Sequence, residues 1–487
     1  MNLIGLILLP GVLSLLILPC ITNRTWAGYI SSAVCTLCFV LSIFLAYRVY
    51  NSGQPIFFFH QWFLCDKLAV FFILLNSFIG MTTSFYAISY LNNENKLHLH
   101  PLVYRFYHTG YQLFLLGMLG VLLSNNIGMM WVAIELATIA SVALVGLYHT
   151  SEALEAAWKY LILCGVGIGL ALLGTVILYI GASTQGLGEH GLLWTQLVSE
   201  APHIPAKLLA VSFVFLFVGY GTKVGFVPLH NWLPDAHAEG PAPVSALLSG
   251  LLLNAALFAI LRFKWMLSNT SLHTLPSVLL LIFGFIGVLF AALSLFRQRQ
   301  LKRLFAYSSI EHMSLISIAF GLGTPLALFA ALLHMSMHSL SKTAAFFSCG
   351  NVMQRAGTQT LSKLRDLSGQ MPVSAALLLI STFAILGLPP SGLFISELLL
   401  ILAAFKANIG LTILLLLGLG LAFLAILLKM QPLFWSKSAH VSIMPLKNRH
   451  HAYWPAALHL VIVIIAGVFV PFYLLSPIVN YIAGVLS

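Results

Sequence analysis

Apolar segments of about 20 residues recur along the whole chain, and short polar loops separate them. A helix of that length and composition can cross the hydrocarbon core of a bilayer. We therefore predict an all-α polytopic membrane protein with about fourteen transmembrane helices. The expected ranges are 3–20, 27–49, 67–90, 104–123, 126–148, 155–183, 206–228, 242–264, 276–296, 302–321, 325–349, 373–404, 409–429 and 454–474. The first segment lacks a basic start and a small-residue cleavage site, so we expect a spanning helix there and not a signal peptide.

Composition supports the same class. The 487 residues are 60% hydrophobic and only 7% charged, whereas soluble domains carry roughly 25% charged residues. The formal net charge is +11, which in a soluble protein would suggest nucleic acid as a partner. Most of the basic residues lie in short loops here, so they are better explained by the positive-inside rule. We therefore expect a lipid bilayer around the chain and no nucleic acid.

The basic loops also predict an orientation. Lysine and arginine are enriched in loops that follow odd-numbered helices, most clearly in FRQRQLKR (296–303), QRAGTQTLSKLRD (354–366) and the segment 437–449. These loops should face the cytoplasm. Both termini would then lie on the non-cytoplasmic side of a bacterial-type inner membrane.

Two predicted helices contain breaks. The seventh includes GYGTKVGFVPLHNWLPD (219–235), and the twelfth includes AILGLPPSGLFISELLL (384–400). Proline removes a backbone donor and interrupts a helix, and paired interruptions in a membrane protein point to an internal repeat. We predict N-terminal helices 1–3 in 1–103, inverted five-helix repeats in 104–266 (helices 4–8) and 267–430 (helices 9–13), and a C-terminal loop with helix 14 in 431–487.

Ionisable residues inside these helices are the candidate functional groups, because a charge in the membrane is costly and rarely retained without a role. We predict that one set moves protons: Glu135, Lys223, Glu311, His334, His338, Lys342 and Glu397. A second set contains candidate relay or access residues: Lys159, His230, Asp235, His237 and His312. His334, His338 and Lys342 are spaced four residues apart, which places them on one helix face. A row of this kind suits proton hopping, because histidine titrates near neutral pH.

Other interpretations stay open for some of these residues. Buried lysines and histidines also lock helices together through hydrogen bonds. Asp235 is either part of an access point or a helix cap, and Lys159 is either a relay or a snorkelling side chain at a helix end. The spacing of His334 and His338 fits two zinc ligands, but no third ligand is evident, so we expect no metal.

The sequence gives no indication of a cofactor on this chain. Cys35 and Cys38 form a CxxC pair within a predicted helix, and with no second pair they are more typical of packing than of redox or metal chemistry. Phosphate-binding, haem and iron–sulfur motifs are missing from the sequence. The glycines of GVGIGLALLG (165–174) are typical of close helix packing.

Several long motifs together resemble one family. They are WVAIELATIASVALVGLY, EAAWKYLI, GYGTKVGFVPLHNWLPDAHAEGPAPVSALLSG, LKRLFAYSSIEHM, LLHMSMHSLSKTAAFF and GLPPSGLFISE. In this order, across about 104–430, they resemble the antiporter-like proton-translocating membrane subunits of complex I and of Mrp antiporters. SSIEHM and SALLSG make the resemblance strongest to component F of the hydrogenase-4 and formate hydrogenlyase type. Ser249 stands where complex I and Mrp subunits usually carry histidine.

The resemblance implies a function and partners. Glu135 and Lys223 would be the acid and base of a first half-channel, the row on the eleventh helix would form a hydrated centre, and Glu397 would end the second half-channel. The chain would be a non-catalytic pumping subunit, coupled to peripheral iron–sulfur, [NiFe] or flavin subunits and to other membrane subunits. Two alternatives stay open: an Mrp-type Na⁺/H⁺ antiporter subunit, and the membrane subunit of an inorganic-carbon uptake complex.

Overall fold

The fold is a bundle of helices with one short β-hairpin. A computed structural model describes residues 3–94, 101–436, 444 and 451–486. The helices are α1 Leu3–Ile17, α2 Arg24–Ser52, α3 Lys67–Asn93, α4 Pro101–Leu123, α5 Ile127–Val145, α6 Ser151–Ser183, α7 Trp194–Glu200, α8 Ala206–Val224, α9 Trp232–Glu239, α10 Ala242–Leu247, α11 Leu253–Met266, α12 Leu275–Leu295, α13 Leu301–Leu322, α14 Pro325–Ala356, α15 Leu367–Gln370, α16 Pro372–Ile385, α17 Gly392–Ala407, α18 Ile409–Trp435, α19 Trp454–Val468 and α20 Phe472–Leu486. The hairpin pairs β1 Ile56–Phe58 with β2 Phe63–Cys65 in antiparallel register.

The coarse prediction of a polytopic helical membrane protein is confirmed. Ten helices in the described part of the chain are long and apolar enough to cross a membrane, or eleven if the bent pair α19 and α20 forms one span. Helices α13 and α14 also lie at predicted spans, but polar side chains lower their hydropathy. They are buried within the bundle. The number fourteen and the division into repeats stay predictions.

Polar residues at the ends of helices explain where several of them begin. The side chain of Asn126 accepts hydrogen bonds from the backbone N–H groups of Gly128 and Met129 and so caps α5. Thr150, Thr324 and Ser391 do the same for α6, α14 and α17. Such caps satisfy N–H groups that would otherwise be unpaired at a helix start.

Both predicted interruptions are observed. Helix α8 ends at Val224, where Gly225 adopts a left-handed conformation with φ +86°. The indole N–H of Trp232, in the first turn of α9, donates to the Thr222 carbonyl at 2.8 Å. Helix α16 ends at Ile385 and α17 begins only at Gly392. Side chains of the bundle thus satisfy backbone groups that a break would otherwise leave unpaired in lipid.

The predicted last helix, 454–474, is wrong in its C-terminal part. Helix α19 ends at Val468, and α20 begins at Phe472 with a bend of 77° between the two. Pro471 lies at this bend, and proline disfavours a helical conformation in the residue before it. Helix α20 continues through Pro477 to Leu486.

A buried ion pair links α3 and α11. Asp66 caps α3 and accepts a 2.5 Å hydrogen bond from the guanidinium of Arg262 on α11. The Tyr481 hydroxyl on α20 donates to the same carboxylate at 3.1 Å. Burial alone would raise the pKa of Asp66, but the charge and hydrogen bond of Arg262 outweigh it and hold that pKa below its usual value. The pair therefore joins three helices that are distant in sequence.

Glycine permits a close contact between α6 and α8. A Cβ atom added to Gly167 would lie 2.7 Å from Cβ of Thr222, and one added to Gly219 would lie 2.6 Å from the Gly167 carbonyl oxygen. Gly169 lies two residues further along α6, and a Cβ atom added there would have no neighbouring atom within 4 Å. The predicted packing role of this glycine-rich segment is confirmed for Gly167, because small residues allow helix backbones to approach in membranes.

We expect Gly167→Val to destabilise the fold, because the added side chain forces α6 away from α8. Overpacking of this kind typically costs about 1–3 kcal/mol. Thermal unfolding of the detergent-solubilised protein should show a lower midpoint temperature for Gly167→Val. Gly169→Val is the control and should leave the midpoint temperature unchanged. Equal midpoints for Gly167→Val and the unsubstituted chain would contradict the packing described here.

Candidate functional site

The predicted row of ionisable residues lies on α14 at the centre of the bundle. This helix packs against α3, α13, α16, α17 and α19. His334, His338 and Lys342 are at most 2% exposed. Their spacing places all three on one face, as predicted, and that face meets α13.

A hydrogen-bonded chain crosses three helices at one end of this row. His312 Nδ1 on α13 lies 2.9 Å from His334 Nε2 on α14, and His334 Nδ1 lies 2.9 Å from the Ser396 hydroxyl on α17. The Ser396 hydroxyl donates its hydrogen to the Leu393 carbonyl at 2.8 Å. Ser396 must therefore accept a hydrogen bond from His334 Nδ1–H, since a hydroxyl has only one hydrogen to give.

This chain assigns the tautomers of both neutral histidines. With its hydrogen on Nδ1, His334 presents a lone pair at Nε2, so His312 must donate from Nδ1. The lone pair of His312 then lies on Nε2, which is buried and makes no hydrogen bond of acceptable geometry among the described residues. The ring of His338 lies 5.3 Å from that of His312. The cluster thus contains a buried nitrogen that can accept a proton.

Lys342 continues the row toward the opposite end of α13. Its ammonium donates to the Phe305 carbonyl at 3.1 Å and lies 5.8 Å from the centre of the Phe305 ring. Glu311, on the same helix as Phe305, is close enough for its charge to interact with Lys342. No ion pair of 4 Å or less joins Glu311 and Lys342 within the described ranges.

The two carboxylates of the second half share a cavity. Glu311 and Glu397 both line a cavity of about 340 Å³, which is otherwise mostly apolar. The Glu397 carboxylate lies directly against Gly387 in the break between α16 and α17, where even a Cβ atom would collide with it. The break therefore positions Glu397 at the end of the row.

Glu135 and Lys223 face each other from α5 and α8, with α6 beside them. The Lys223 ammonium is fully buried and lies 4.9 Å from the centre of the Tyr160 ring. The charges of Glu135 and Lys223 interact, but the two groups are not in ion-pair contact. Tyr160 is held by Ser141 at 2.8 Å and stacks on Trp232 at 4.4 Å. The break between α8 and α9 thus supports the aromatic wall of this site.

The five candidate relay or access residues fall into separate environments. His312 belongs to the histidine cluster. His237 is buried, and its ring stacks on Phe346 of α14 at 4.8 Å. His230 is buried near Phe290, with ring centres 4.8 Å apart. Asp235 instead forms ion pairs with Arg303 at 2.9 Å and Lys159 at 3.2 Å.

Lys159 and Asp235 therefore lie in a network at the edge of the bundle. The Lys159 side chain is 47% exposed and also contacts Glu155 at 2.6 Å. Asp235 makes no side-chain cap of α9. The structure brings His237 toward the row on α14 and leaves Lys159 outside it.

Sequence reasoning did not identify several contributing residues. Ser396 and Gly387 were read only as parts of a broken helix, although each touches a site residue. Ser249 was singled out only as a departure from the family. It lies in a π-helical turn, Leu248–Leu252, between α10 and α11, and its hydroxyl lies 2.8 Å from that of Ser309 on α13. Such turns often occur at functional sites. No local pattern reveals these contacts, because each joins helices that are far apart in sequence.

We expect Ser396→Ala to remove the group that fixes His334 with hydrogen on Nδ1. Nitrogen-15 NMR of histidine-labelled protein should show a change in the Nδ1 and Nε2 shifts of His334 toward a mixture of tautomers. Ser381→Ala is the matched control, because the buried Ser381 hydroxyl bonds only to Leu377 of its own helix. Unchanged His334 shifts in Ser396→Ala would contradict the assigned chain.

Comparison with known proteins confirms the resemblance inferred from the motifs. A family model described as NADH:quinone oxidoreductase/Mrp antiporter, TM, matches residues 124–425. The hydrogenase-4 component F homolog of Methylacidiphilum infernorum (isolate V4) is 46% identical over 473 residues, which cover 97% of this chain and 97% of that protein.

Solved structures share the fold. A chain of the membrane-bound sulfane sulfur reductase (MBS), an archaeal respiratory membrane complex, matches 100% of this chain and 97% of its own length, with a TM-score of 0.87 and 24% identity. A chain of the Mrp complex from Dietzia sp. DQ12-45-1b matches 100% of both chains, with a TM-score of 0.82 and 19% identity. The helical bundle described above is therefore a known membrane architecture.

Proposed function

Because this chain belongs to the NADH:quinone oxidoreductase/Mrp antiporter family of transmembrane proteins, we propose that it is the proton-translocating subunit of a multi-subunit redox complex. The complex would be of hydrogenase-4 or NADH dehydrogenase type, and partner subunits would hold the iron–sulfur, [NiFe] or flavin centres. Fourteen transmembrane helices would be arranged as inverted repeats in 104–266 and 267–430. Both termini would face away from the cytoplasm of a bacterial inner membrane.

The observation that carries this proposal is the buried series of ionisable side chains. Lys223, His338 and Lys342 are each fully buried, and they lie on helices from both halves of the chain. A membrane anchor has no need of such groups, and leucine would avoid their desolvation cost. A series of donors and acceptors across the bundle is what proton transfer requires.

In the first half, Lys223 and Glu135 would act as a switchable pair. A buried ammonium depends on nearby opposite charge and on the aromatic face of Tyr160. When Glu135 takes up a proton or moves away, that support weakens and Lys223 releases its proton. The proton would then reach the row on α14, with His237 as the candidate link because its ring already packs against that helix.

In the second half, the row would pass the proton toward Glu397. Lys342 and His338 lie on one face of α14, and His338 packs beside His312. The unpartnered Nε2 of His312 would accept the proton, and its Nδ1 would pass a proton to His334 Nε2. Glu311 and Glu397 would complete the route at their shared cavity.

We expect Lys223→Ala and Glu135→Ala to abolish proton translocation while the complex still assembles. Each variant removes one member of the pair on which the first half depends. Proton movement would be measured with a pH-sensitive dye in sealed vesicles, and assembly by co-purification. Lys207→Ala is the control on the same helix as Lys223, because Lys207 is exposed near the start of α8. Unchanged proton transport in both site variants would refute the mechanism.

The identity of the partners separates this proposal from its alternatives. Affinity purification of the tagged chain in mild detergent should recover iron–sulfur subunits together with [NiFe] or flavin subunits. Recovery of small membrane subunits alone would favour a Na⁺/H⁺ antiporter, and recovery of one large soluble zinc protein would favour inorganic-carbon uptake. Either of these results would overturn the redox assignment.

A further inference from the structure

We propose that His312, His334 and Glu397 form a binding site for one divalent transition-metal ion of the zinc type. One ligand atom from each residue lies within 4.8 Å of the other two. The site differs from the HxxxH pair of the sequence, because its second histidine comes from α13 and its carboxylate from α17. Metal binding at these three residues follows from this geometry and does not depend on whether they also take part in proton transport.

The ligand set matches the preferences of zinc. Two imidazole nitrogens, one carboxylate oxygen and one open position are typical of zinc sites that keep a bound water. Sodium and magnesium prefer oxygen ligands, so the two histidines favour a transition metal. In a tetrahedral site with bonds of about 2.0 Å, ligand atoms lie about 3.3 Å apart. His312 Nδ1 and His334 Nε2 are already 2.9 Å apart, and only the carboxylate has to approach.

The tautomers already suit one ligand and can adapt for the other. Ser396 accepts the Nδ1 hydrogen of His334 and so leaves Nε2 free to bind a metal, which is the outer contact that histidine ligands usually have. His312 would move its hydrogen from Nδ1 to Nε2, the buried nitrogen that does not contact His334. This change needs no net gain or loss of a proton.

The surroundings offer charge and space for the ion. Glu311 lines the same cavity as Glu397, so two carboxylates are available to balance a double positive charge. Glu397 borders this cavity of about 340 Å³ and the two histidines do not line it, so the water that completes the coordination would approach from the Glu397 side. Lys342 lies further along α14 and is not one of the ligands.

Zinc binding by the purified full-length chain tests the proposal. The protein is equilibrated with zinc chloride, free metal is removed, and bound zinc is measured by elemental analysis. Compared with the unsubstituted protein, we expect about one zinc per chain to be lost in each of three variants: His312→Gln, His334→Gln and Glu397→Gln. His338→Gln is the matched control, since it removes another buried histidine from the same face of α14, and it should retain the zinc. Equal zinc content in all variants, or the same loss in His338→Gln, would overturn the site.

X-ray absorption of the unsubstituted zinc-loaded chain provides a readout that does not depend on whether the variants fold. We expect imidazole scattering and Zn–ligand distances of about 2.0–2.1 Å. A shell of oxygen ligands without imidazole would overturn the proposal. Zinc bound at His334 should slow proton transport if protons pass through this residue. Zinc binding that leaves proton transport unchanged would support the metal site but contradict the proton route, so the two proposals can fail separately.

Discussion

The cost of placing ionisable groups away from water is the constraint on which this molecule depends. A charged side chain at the centre of a bilayer is expensive unless other groups of the protein support it. Here the supporting groups are arranged around α14, a long helix that is mostly buried in the bundle. Apolar outer helices surround it, and small residues such as Gly167 let neighbouring backbones come close together. The same enclosure keeps Lys223 and His338 fully buried, so the proton affinity of each depends on the few groups beside it.

The two helix breaks follow from the same constraint. An interrupted helix in a membrane leaves backbone groups unpaired, so it persists only where the protein satisfies them. The first break places Trp232 against Tyr160 and thereby forms the wall beside Lys223. The second places Gly387 against the Glu397 carboxylate. In both halves the irregular backbone lies next to the ionisable group that the proposed mechanism uses.

Local patterns in the sequence predicted some of this arrangement and missed other parts for identifiable reasons. Four-residue spacing was sufficient to place His334 and Lys342 on one helix face, because that relation is internal to a helix. The contact between His334 and Ser396 joins helices 62 positions apart in sequence, and no single-helix pattern contains it. The sequence predicted α13 and α14 as well, within one residue at both ends of α13, because their apolar residues still outnumber the polar ones. The bend after α19 was overlooked although Pro471 signals it.

The central claim is that protons cross the membrane through this chain when its partners transfer electrons. The most direct test is to reconstitute the intact native complex in sealed, sodium-free vesicles and to record internal pH during turnover. The account predicts a pH difference that grows with turnover, collapses on addition of a protonophore and does not need sodium. Turnover without any pH change, or a pH change that appears only when sodium is supplied, would contradict it.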